Sequence, residues 1–173
     1  NVETDPLGFS HYRYQQTINN MPVEGSMYLL HVKNNTINSM NGLIFDNIIP
    51  STAITFDTQN ALNYALGYTN ATTYRWQIPF WENQIRITQN NPNATWYPKG
   101  ELVYAPVNGR FQGNEFRLCY KFDIYAEVPF SRNYVFVDAQ TGQVIYTQNR
   151  IHHGNTTGTA ITAYSGVRTI TTD

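Results

Sequence analysis

Between Glu115 and Ala126 every second residue is large and apolar or aromatic, and this alternation constrains the fold more than any other feature of the sequence. The repeating positions are Phe116, Leu118, Tyr120, Phe122 and Ile124. A period of two over this length is typical of a long β-strand with one buried face, because successive side chains of a strand point to opposite sides of the sheet. That face must be covered, so the sequence predicts partner strands and a layer that packs on them.

Partner strands are predicted before and after this run along the chain. Residues 102–105 predict a short strand that ends in a turn at 107–109, and residues 133–137 and 144–147 predict a hairpin. The connection of the hairpin, 138–142, ends in a glycine, which can adopt the left-handed backbone conformation that closes such a turn. The long strand and these strands are therefore expected to form one sheet.

The covering layer is predicted to be a helix. Asp57 or Thr58 can cap its N-terminus, and the helix is expected to run for about 10 residues and to end near Gly67. Its apolar residues are Ala61, Leu62, Ala65 and Leu66. Residues 74–88 predict two further strand-like runs, broken by Pro79.

The first 55 residues predict a meander of three strands joined by asparagine-rich turns. The strands are Phe9–Thr17, Met27–Lys33 and Thr36–Met40, the turns are Asn19–Asn20 and Asn34–Asn35, and Asn41–Gly42 ends the third strand. One helix among several antiparallel strands favours an α+β fold, since a parallel sheet would need a helix between each pair of strands. We therefore expect two antiparallel-sheet subdomains, with the helix packed on the second sheet.

Composition and charge exclude several classes of function. The chain has 173 residues, of which 41% are hydrophobic and 14% aromatic, enough for a core, while a net charge of −1 offers no basic field for nucleic acid. Apolar runs such as Leu43–Phe45 are far shorter than the roughly 18 residues that a membrane-spanning helix needs. Residues 1–6 lack the basic and apolar regions of a signal peptide, and polarity carried by Asn, Gln, Thr and Tyr favours an exported protein whose signal has been removed.

No catalytic motif is present in the sequence. It contains no His-Glu-x-x-His, no Gly-x-Ser-x-Gly, no glycine-rich phosphate loop and no Cys-x-x-Cys. The single cysteine, Cys119, excludes an intrachain disulfide and is expected to be a small, half-buried strand residue. His31 lies inside a predicted strand and is expected to be a hydrogen-bonded, partly buried imidazole without a functional role.

The one local cluster with metal-ligand chemistry is His152 and His153, followed by Gly154. Adjacent histidines on an extended chain point to opposite sides, so the two do not readily chelate one ion together. One of them could donate an imidazole to a metal held by another protein, such as a catalytic zinc that keeps an open position. Alternatively, both are solvated side chains in a linker.

Several short stretches resemble the precursors of fungalysins and thermolysins, in the same order along the chain. The stretches His11–Gln16, Met21–Ser26 and Asn38–Gly42 resemble the pro-segment motif that the two families share. The stretches Ala61–Ala65, Leu102–Pro106, Arg117–Lys121 and Tyr134–Val144 resemble the PepSY module that follows this motif. The stretches Gly158–Ala160 and Tyr164–Ile170 are similar to the opening strands of the mature thermolysin-like catalytic domain.

This resemblance implies a division of the chain into three parts. Residues 1–55 would form a fungalysin/thermolysin propeptide-like subdomain, residues 56–150 a PepSY-like subdomain with a cystatin-like helix on a sheet, and residues 151–173 the processing junction and the start of the mature domain. The junction is expected at His152, His153, Gly154 and Asn155. The chain itself would hold no cofactor and no catalytic residue, and zinc would belong to the cognate catalytic domain, with His152 or His153 directed at it.

The function implied by the resemblance is that of an intramolecular chaperone and temporary inhibitor of a thermolysin-like zinc metalloprotease, acting outside the cell. Both roles follow from a surface complementary to the native enzyme, which is therefore the expected partner. A freestanding secreted PepSY-type binding module or protease inhibitor is the alternative, and such a module should end soon after the last strand near Gln148. An enzyme in its own right would need converging catalytic residues, for which the sequence offers no candidate set.

Overall fold

The structure is a computed structural model that describes residues 2–49, 53–112, 115–151, 156–162 and 166–172. In chain order the strands are β1 (Val2–Thr4), β2 (Ser10–Tyr14), β3 (Thr17–Ile18), β4 (Met21–Pro22), β5 (Met27–Lys33), β6 (Thr36–Leu43), β7 (Thr73–Tyr74), β8 (Glu101–Pro106), β9 (Phe116–Val128), β10 (Phe130–Asp138), β11 (Val144–Asn149), β12 (Thr156–Thr162) and β13 (Gly166–Thr172). The helices are α1 (Thr58–Thr69) and α2 (Pro79–Thr88). The strands pair in antiparallel ladders, so the predicted α+β fold with antiparallel sheets is confirmed.

The first sheet has the order β1-β2-β5-β6, which confirms the predicted meander and adds β1 at its edge. Asn34 and Asn35 join β5 to β6, and both have the left-handed backbone conformation of a tight hairpin turn, with φ of 51° and 58°. The predicted end of β6 at Asn41–Gly42 is wrong, because the strand continues to Leu43. Gly42 lies inside the strand, where an added Cβ would stand 2.2 Å from the carbonyl oxygen of Met27, so the glycine permits close backbone approach and does not end the strand.

The second sheet is built around β9, the long strand predicted from the alternation. On one side β9 pairs with β10, and on the other side with β8 and, further along, with β7. The five alternating residues are all buried, as are Ala61, Leu62 and Ala65 of α1, which pack in the same core. The covering helix that the strand requires is therefore α1, as predicted.

Helix α1 begins where the sequence predicts and ends two residues after its predicted end. Asp57 is its N-cap, because its Oδ1 accepts a hydrogen bond of 2.7 Å from the backbone amide of Asn60. The predicted end near Gly67 is wrong. The helix continues to Thr69, and Asn70 stops it in the left-handed conformation, with its N–H bonded to the carbonyl of Leu66 at 2.9 Å.

Replacing Asp57 with alanine is expected to lower the free energy of unfolding by about 1 kcal/mol, because the amide of Asn60 loses its acceptor. The matched control is Asp57→Asn, which keeps an acceptor oxygen at the cap and should lose much less. Urea unfolding followed by circular dichroism measures both changes. Equal losses in the two variants would show that the cap hydrogen bond is not the source of the effect.

The second helix, α2, corrects the prediction of two strand-like runs over residues 74–88. Pro79 occupies the first turn of α2 and does not interrupt a strand. Proline suits this position because its ring fixes a helical φ and its missing N–H would have no partner there. Trp81 and Ile85, four residues apart, lie on the same side of the helix, and Ile85 is buried.

The segment that follows β4 packs directly on the second sheet. Val23 is fully buried and forms an isolated parallel bridge with Tyr104 of β8. The next residue, Glu24, accepts hydrogen bonds of 2.7 and 2.9 Å from the Nζ of Lys121 on β9. Phe45, which follows the first sheet, contributes to the same core as α1 and β9. The boundary between the two predicted subdomains, at residue 55, stays a prediction.

After β11 the chain continues into a further hairpin. Strands β12 and β13 form an antiparallel pair, in which Thr156 lies opposite Thr172 at one end and Thr162 lies opposite Gly166 at the other. None of the helices described in the structure is long and apolar enough to span a membrane.

Candidate functional site

The predicted site residues His152, His153, Gly154 and Asn155 lie outside the described residues. The structure does describe the side chains that hold the chain where it enters this segment. They are Asp123 on β9, Arg132 on β10 and Arg150, which directly follows β11. We call this cluster the junction anchor.

One carboxylate connects the two arginines of the junction anchor. Arg132 donates to Asp123 through two nitrogens, at 3.0 Å from Nε to Oδ1 and 2.7 Å from Nη2 to Oδ2, which is the paired geometry that guanidinium and carboxylate favour. The Nη1 of Arg150 donates to the same Oδ2. The hydrogen bond to Asp123 raises the pKa of Arg132, so the pairing favours the charged guanidinium.

The backbone strengthens this attachment. The amide of Arg150 donates to the carbonyl of Arg132 at 2.8 Å, and the amide of Ile151 donates to the Oδ1 of Asn149 at 2.8 Å. The path of the chain is thus fixed through Ile151, at the edge of the second sheet.

Aromatic rings surround the junction anchor on the face of the second sheet opposite α1. Arg150 lies 4.2 Å above the ring of Tyr134, and Arg132 lies 4.9 Å from the ring of Tyr125 and 5.1 Å from that of Trp96. Cations over aromatic faces are attracted by the ring quadrupole, and partial burial strengthens the attraction. The rings therefore help to hold both guanidinium groups beside Asp123.

A second arginine site continues this surface toward α2. The guanidinium of Arg75 lies between the rings of Trp81, at 4.0 Å, and Tyr125, at 3.8 Å, and its Nε donates to Glu127 at 3.1 Å. Arg75 therefore links Trp81 on α2 with Tyr125 on β9 through charge and aromatic contact.

The junction anchor and its surroundings are not predicted by the apolar pattern of the sequence. The apolar alternation describes only one face of β9, and the second half of the other face carries Lys121, Asp123, Tyr125 and Glu127. These residues share the opposite face of β9, because residues two apart on a strand lie on one side. The charged and aromatic residues on this second face are the sequence feature from which a polar site could be predicted.

Cys119 has a different environment from the one predicted. The prediction of a half-buried residue is wrong, because Cys119 is fully buried and packs with Val103, Ala105 and Phe136. Burial, and after it the negative charge of Asp138, raises the pKa of the thiol. The thiol is therefore protonated and closed to solvent, which is the opposite of what nucleophilic catalysis requires.

The predicted partial burial and hydrogen bonding of His31 are confirmed, and this side chain has an unexpected partner. It is partly buried, and its Nδ1 lies 2.6 Å from the Nδ1 of His11 on the neighbouring strand, while its Nε2 lies 2.8 Å from the Oδ1 of Asn41. Among the described residues, no group of three or more His, Cys, Asp or Glu side chains is placed to hold a metal ion.

Comparison with known proteins adds two findings. Residues 1–43 match the Fungalysin/Thermolysin Propeptide Motif. In an alignment 163 residues long that covers 92% of this chain, the sequence is 31% identical to bacillolysin of Bacillus amyloliquefaciens. Bacillolysins of Bacillus subtilis subsp. amylosacchariticus and of Bacillus subtilis strain 168 are each 26% identical over 161 residues, again 92% of the chain. The chain spans 28% of the length of these relatives.

The two findings agree with each other and with the resemblance seen in the sequence. The motif match and the long alignment together support a pro-segment of the thermolysin-like type. The aligned part, 28% of bacillolysin, corresponds to its propeptide region and not to its catalytic zinc site. The PepSY-type second unit stays a prediction.

Proposed function

We propose that this chain acts as an intramolecular chaperone and a temporary inhibitor of a thermolysin-like zinc metalloprotease. The match of residues 1–43 to the propeptide motif, continued by similarity to bacillolysin over 92% of the chain, carries this proposal. The partner is the cognate catalytic domain, which holds the zinc, and both act outside the cell after export. We further propose the three-part division at residues 1–55, 56–150 and 151–173, with a PepSY-type, cystatin-like second unit supported by the packing of α1 on an antiparallel sheet.

The first sheet supports the chaperone role because it offers an uncovered surface. None of the residues of β1, β2, β5 and β6 is buried. Tyr12, Leu30 and Met40 lie opposite one another in successive strands and therefore share a face, on which Met40 is 61% exposed. Tyr14 and Tyr28 form the next row of the same face. We infer that this face, the tyrosine face, docks on the catalytic domain.

Docking of this kind explains both roles with one surface. A ligand that binds the native protease and not its unfolded chain stabilises the native state, which assists folding. A covalent connection raises the effective concentration of the pro-segment, and cleavage of the chain removes that advantage, so that inhibition is temporary.

Inhibition itself is assigned to residues 150–155. The junction anchor fixes the chain through Ile151, so the segment starts from a defined point at the sheet edge. We propose that it lies in the active-site cleft, with His152 or His153 directed at the zinc and the processing junction within His152, His153, Gly154 and Asn155. A catalytic zinc keeps one open position, and an imidazole there displaces the water that attacks the substrate. Gly154 has no side chain to hinder approach of the backbone to the metal.

Adding the chain in trans to the cognate mature protease is expected to inhibit hydrolysis of a small peptide substrate. Replacing both His152 and His153 with alanine should weaken this inhibition and leave the fold intact. The matched control is the pair Thr156→Ala and Thr157→Ala, which changes two neighbouring residues without metal-ligand chemistry. Inhibition constants from steady-state rates give the comparison.

The possible outcomes of this assay separate the parts of the proposal. No inhibition by saturating chain would contradict the inhibitory role and favour the freestanding secreted PepSY-type binding module or a protease inhibitor with another target. Inhibition that is equal for the histidine pair and the threonine pair would remove the zinc role of His152 and His153 and leave the docking role in place.

A further inference from the structure

Two histidines of the first sheet face each other across neighbouring strands. His11 on β2 and His31 on β5 are directly opposed in the antiparallel register, and their Nδ1 atoms are 2.6 Å apart. Their rings meet at 75°, with centroids 4.8 Å apart. The side chain of His11 is 21% exposed, so the pair is accessible from solvent.

The outer nitrogen of each imidazole is held by an oxygen. The Nε2 of His11 lies 3.2 Å from the Oδ2 of Asp5, and the Nε2 of His31 lies 2.8 Å from the Oδ1 of Asn41. The Oδ1 of Asp5 accepts hydrogen bonds of 2.9 Å from the amides of Leu7 and Phe9, so its carboxylate acts as an acceptor here. Since both oxygens accept, both Nε2 atoms carry the proton of the neutral imidazole.

This arrangement leaves two lone pairs pointing at each other. A neutral imidazole that is protonated at Nε2 has its lone pair at Nδ1. Two such lone pairs at the observed separation repel each other unless a cation lies between them. The separation suits a shared proton, and a metal ion is the other cation that satisfies two imidazole lone pairs.

We propose that His11 and His31 form a binding site for a divalent transition-metal ion, with their Nδ1 atoms as ligands and with Asp5 and Asn41 orienting the two rings. Metal-ligating histidines characteristically donate their second N–H to a carboxylate or carbonyl oxygen, which fixes the tautomer and makes the ligand more basic. The oxygens of Asp5 and Asn41 supply this pattern on both sides. Nothing in this site depends on His152, His153 or the zinc of the cognate protease.

Chemistry and location define the kind of ion that the pair takes. Imidazole suits nickel, copper and zinc better than calcium or magnesium, which prefer oxygen. Bonds of about 2.0–2.1 Å would place the two Nδ1 atoms about 3 Å apart, so binding requires the pair to open slightly and both rings to turn until their lone pairs meet at one point beside the line that joins them. Glu3, opposite His11 on β1, is paired with Arg13 at 2.9 Å, so these two side chains add no net charge beside the site. Water completes the coordination, so the ion exchanges and is removed by chelators.

Nickel titration tests the site in a chain where no other histidine competes. The variant with His152→Ala and His153→Ala leaves His11 and His31 as the sole histidines, since the sequence has four. Calorimetry of this variant is expected to show one bound Ni²⁺ per chain. Adding His11→Gln or His31→Gln should abolish the binding, and adding Asp5→Asn should weaken it about tenfold or more. Binding that is unchanged by the glutamine substitutions would overturn the proposal, as would an absence of binding in the parent variant.

A second measurement keeps the test independent of how well the variants fold. In the unsubstituted chain, substoichiometric Ni²⁺ is expected to broaden the NMR signals of β2 and β5 around His11 and His31. Broadening that is confined to residues near His152 and His153 would overturn the proposal. Circular dichroism without metal confirms that each variant is folded before its affinity is compared.

Discussion

Replacing Phe122 with alanine is expected to lower the free energy of unfolding by about 3–5 kcal/mol, the range for a large aromatic side chain removed from a core. Phe122 is fully buried at the centre of β9. Its ring lies directly against the backbone of Gly100, where an added Cβ would stand 2.7 Å from Cε1 of the ring. Because backbone lines the resulting cavity, the cavity cannot collapse easily, and the loss should be near the upper part of the range.

The control for this change is Phe130→Ala. Phe130 is 57% exposed at the start of β10 and contacts Tyr125, with ring centroids 5.9 Å apart. Its loss should cost less than about 1 kcal/mol. Urea unfolding of both variants, followed by tryptophan fluorescence, gives the comparison. A similar loss at both positions would contradict the assignment of the core to the α1 side of β9.

Replacing Asp123 with alanine is expected to lower the free energy of unfolding by about 1–3 kcal/mol and to release the chain at Arg150. The carboxylate of Asp123 serves both Arg132 and Arg150, so its removal leaves two guanidinium groups without their acceptor. These side chains are only partly exposed, at 24% and 30%, so water restores the lost interactions incompletely. For the same reason, the loss should be smaller than that for a fully buried ion pair.

Two measurements distinguish the change in the free energy of unfolding from the release of the chain at Arg150. Urea unfolding gives the first, and mass spectrometry of a limited trypsin digest gives the rate of cleavage after Arg150, which should rise in Asp123→Ala. The matched control is Glu3→Ala, which breaks the exposed pair with Arg13, where Glu3 is 67% exposed, and should cost less than about 1 kcal/mol. If cleavage after Arg150 is no faster in Asp123→Ala than in the unsubstituted chain, the junction anchor does not hold the segment.

Several elements follow from the local sequence alone. The alternation from Phe116 to Ile124 defines β9 and its buried face, since a strand exposes alternate residues to opposite sides. Asp57 marks the start of α1 because a side-chain oxygen at the N-cap satisfies a free amide. The hairpin between β10 and β11 follows from a glycine at position 142, which has φ of 74°. In each case the residues that determine the element are neighbours in the chain.

The error at α2 shows where local sequence is ambiguous. Proline at the beginning of an apolar stretch is compatible with a broken strand and with the first turn of a helix. Packing decides between the two structures. When residues 79–88 are helical, Trp81 contacts Arg75, and Arg75 also contacts Tyr125 on β9. These contacts involve residues up to about fifty positions away, and no local pattern contains them.

The sequence by itself determined the α+β fold class, the two sheets, the covering helix and the stretches that resemble propeptides. Tertiary structure decided which polar residues meet. Asp123, Arg132 and Arg150 come together through the pairing of β9 with β10 and of β10 with β11, and His11 meets His31 through the register of β2 and β5. A shift of that register by one residue would move each side chain to the other face of its sheet. Apolar periodicity predicts which face of a strand is buried, whereas the partner of each polar side chain depends on the register, which packing and turn geometry set across the whole sheet.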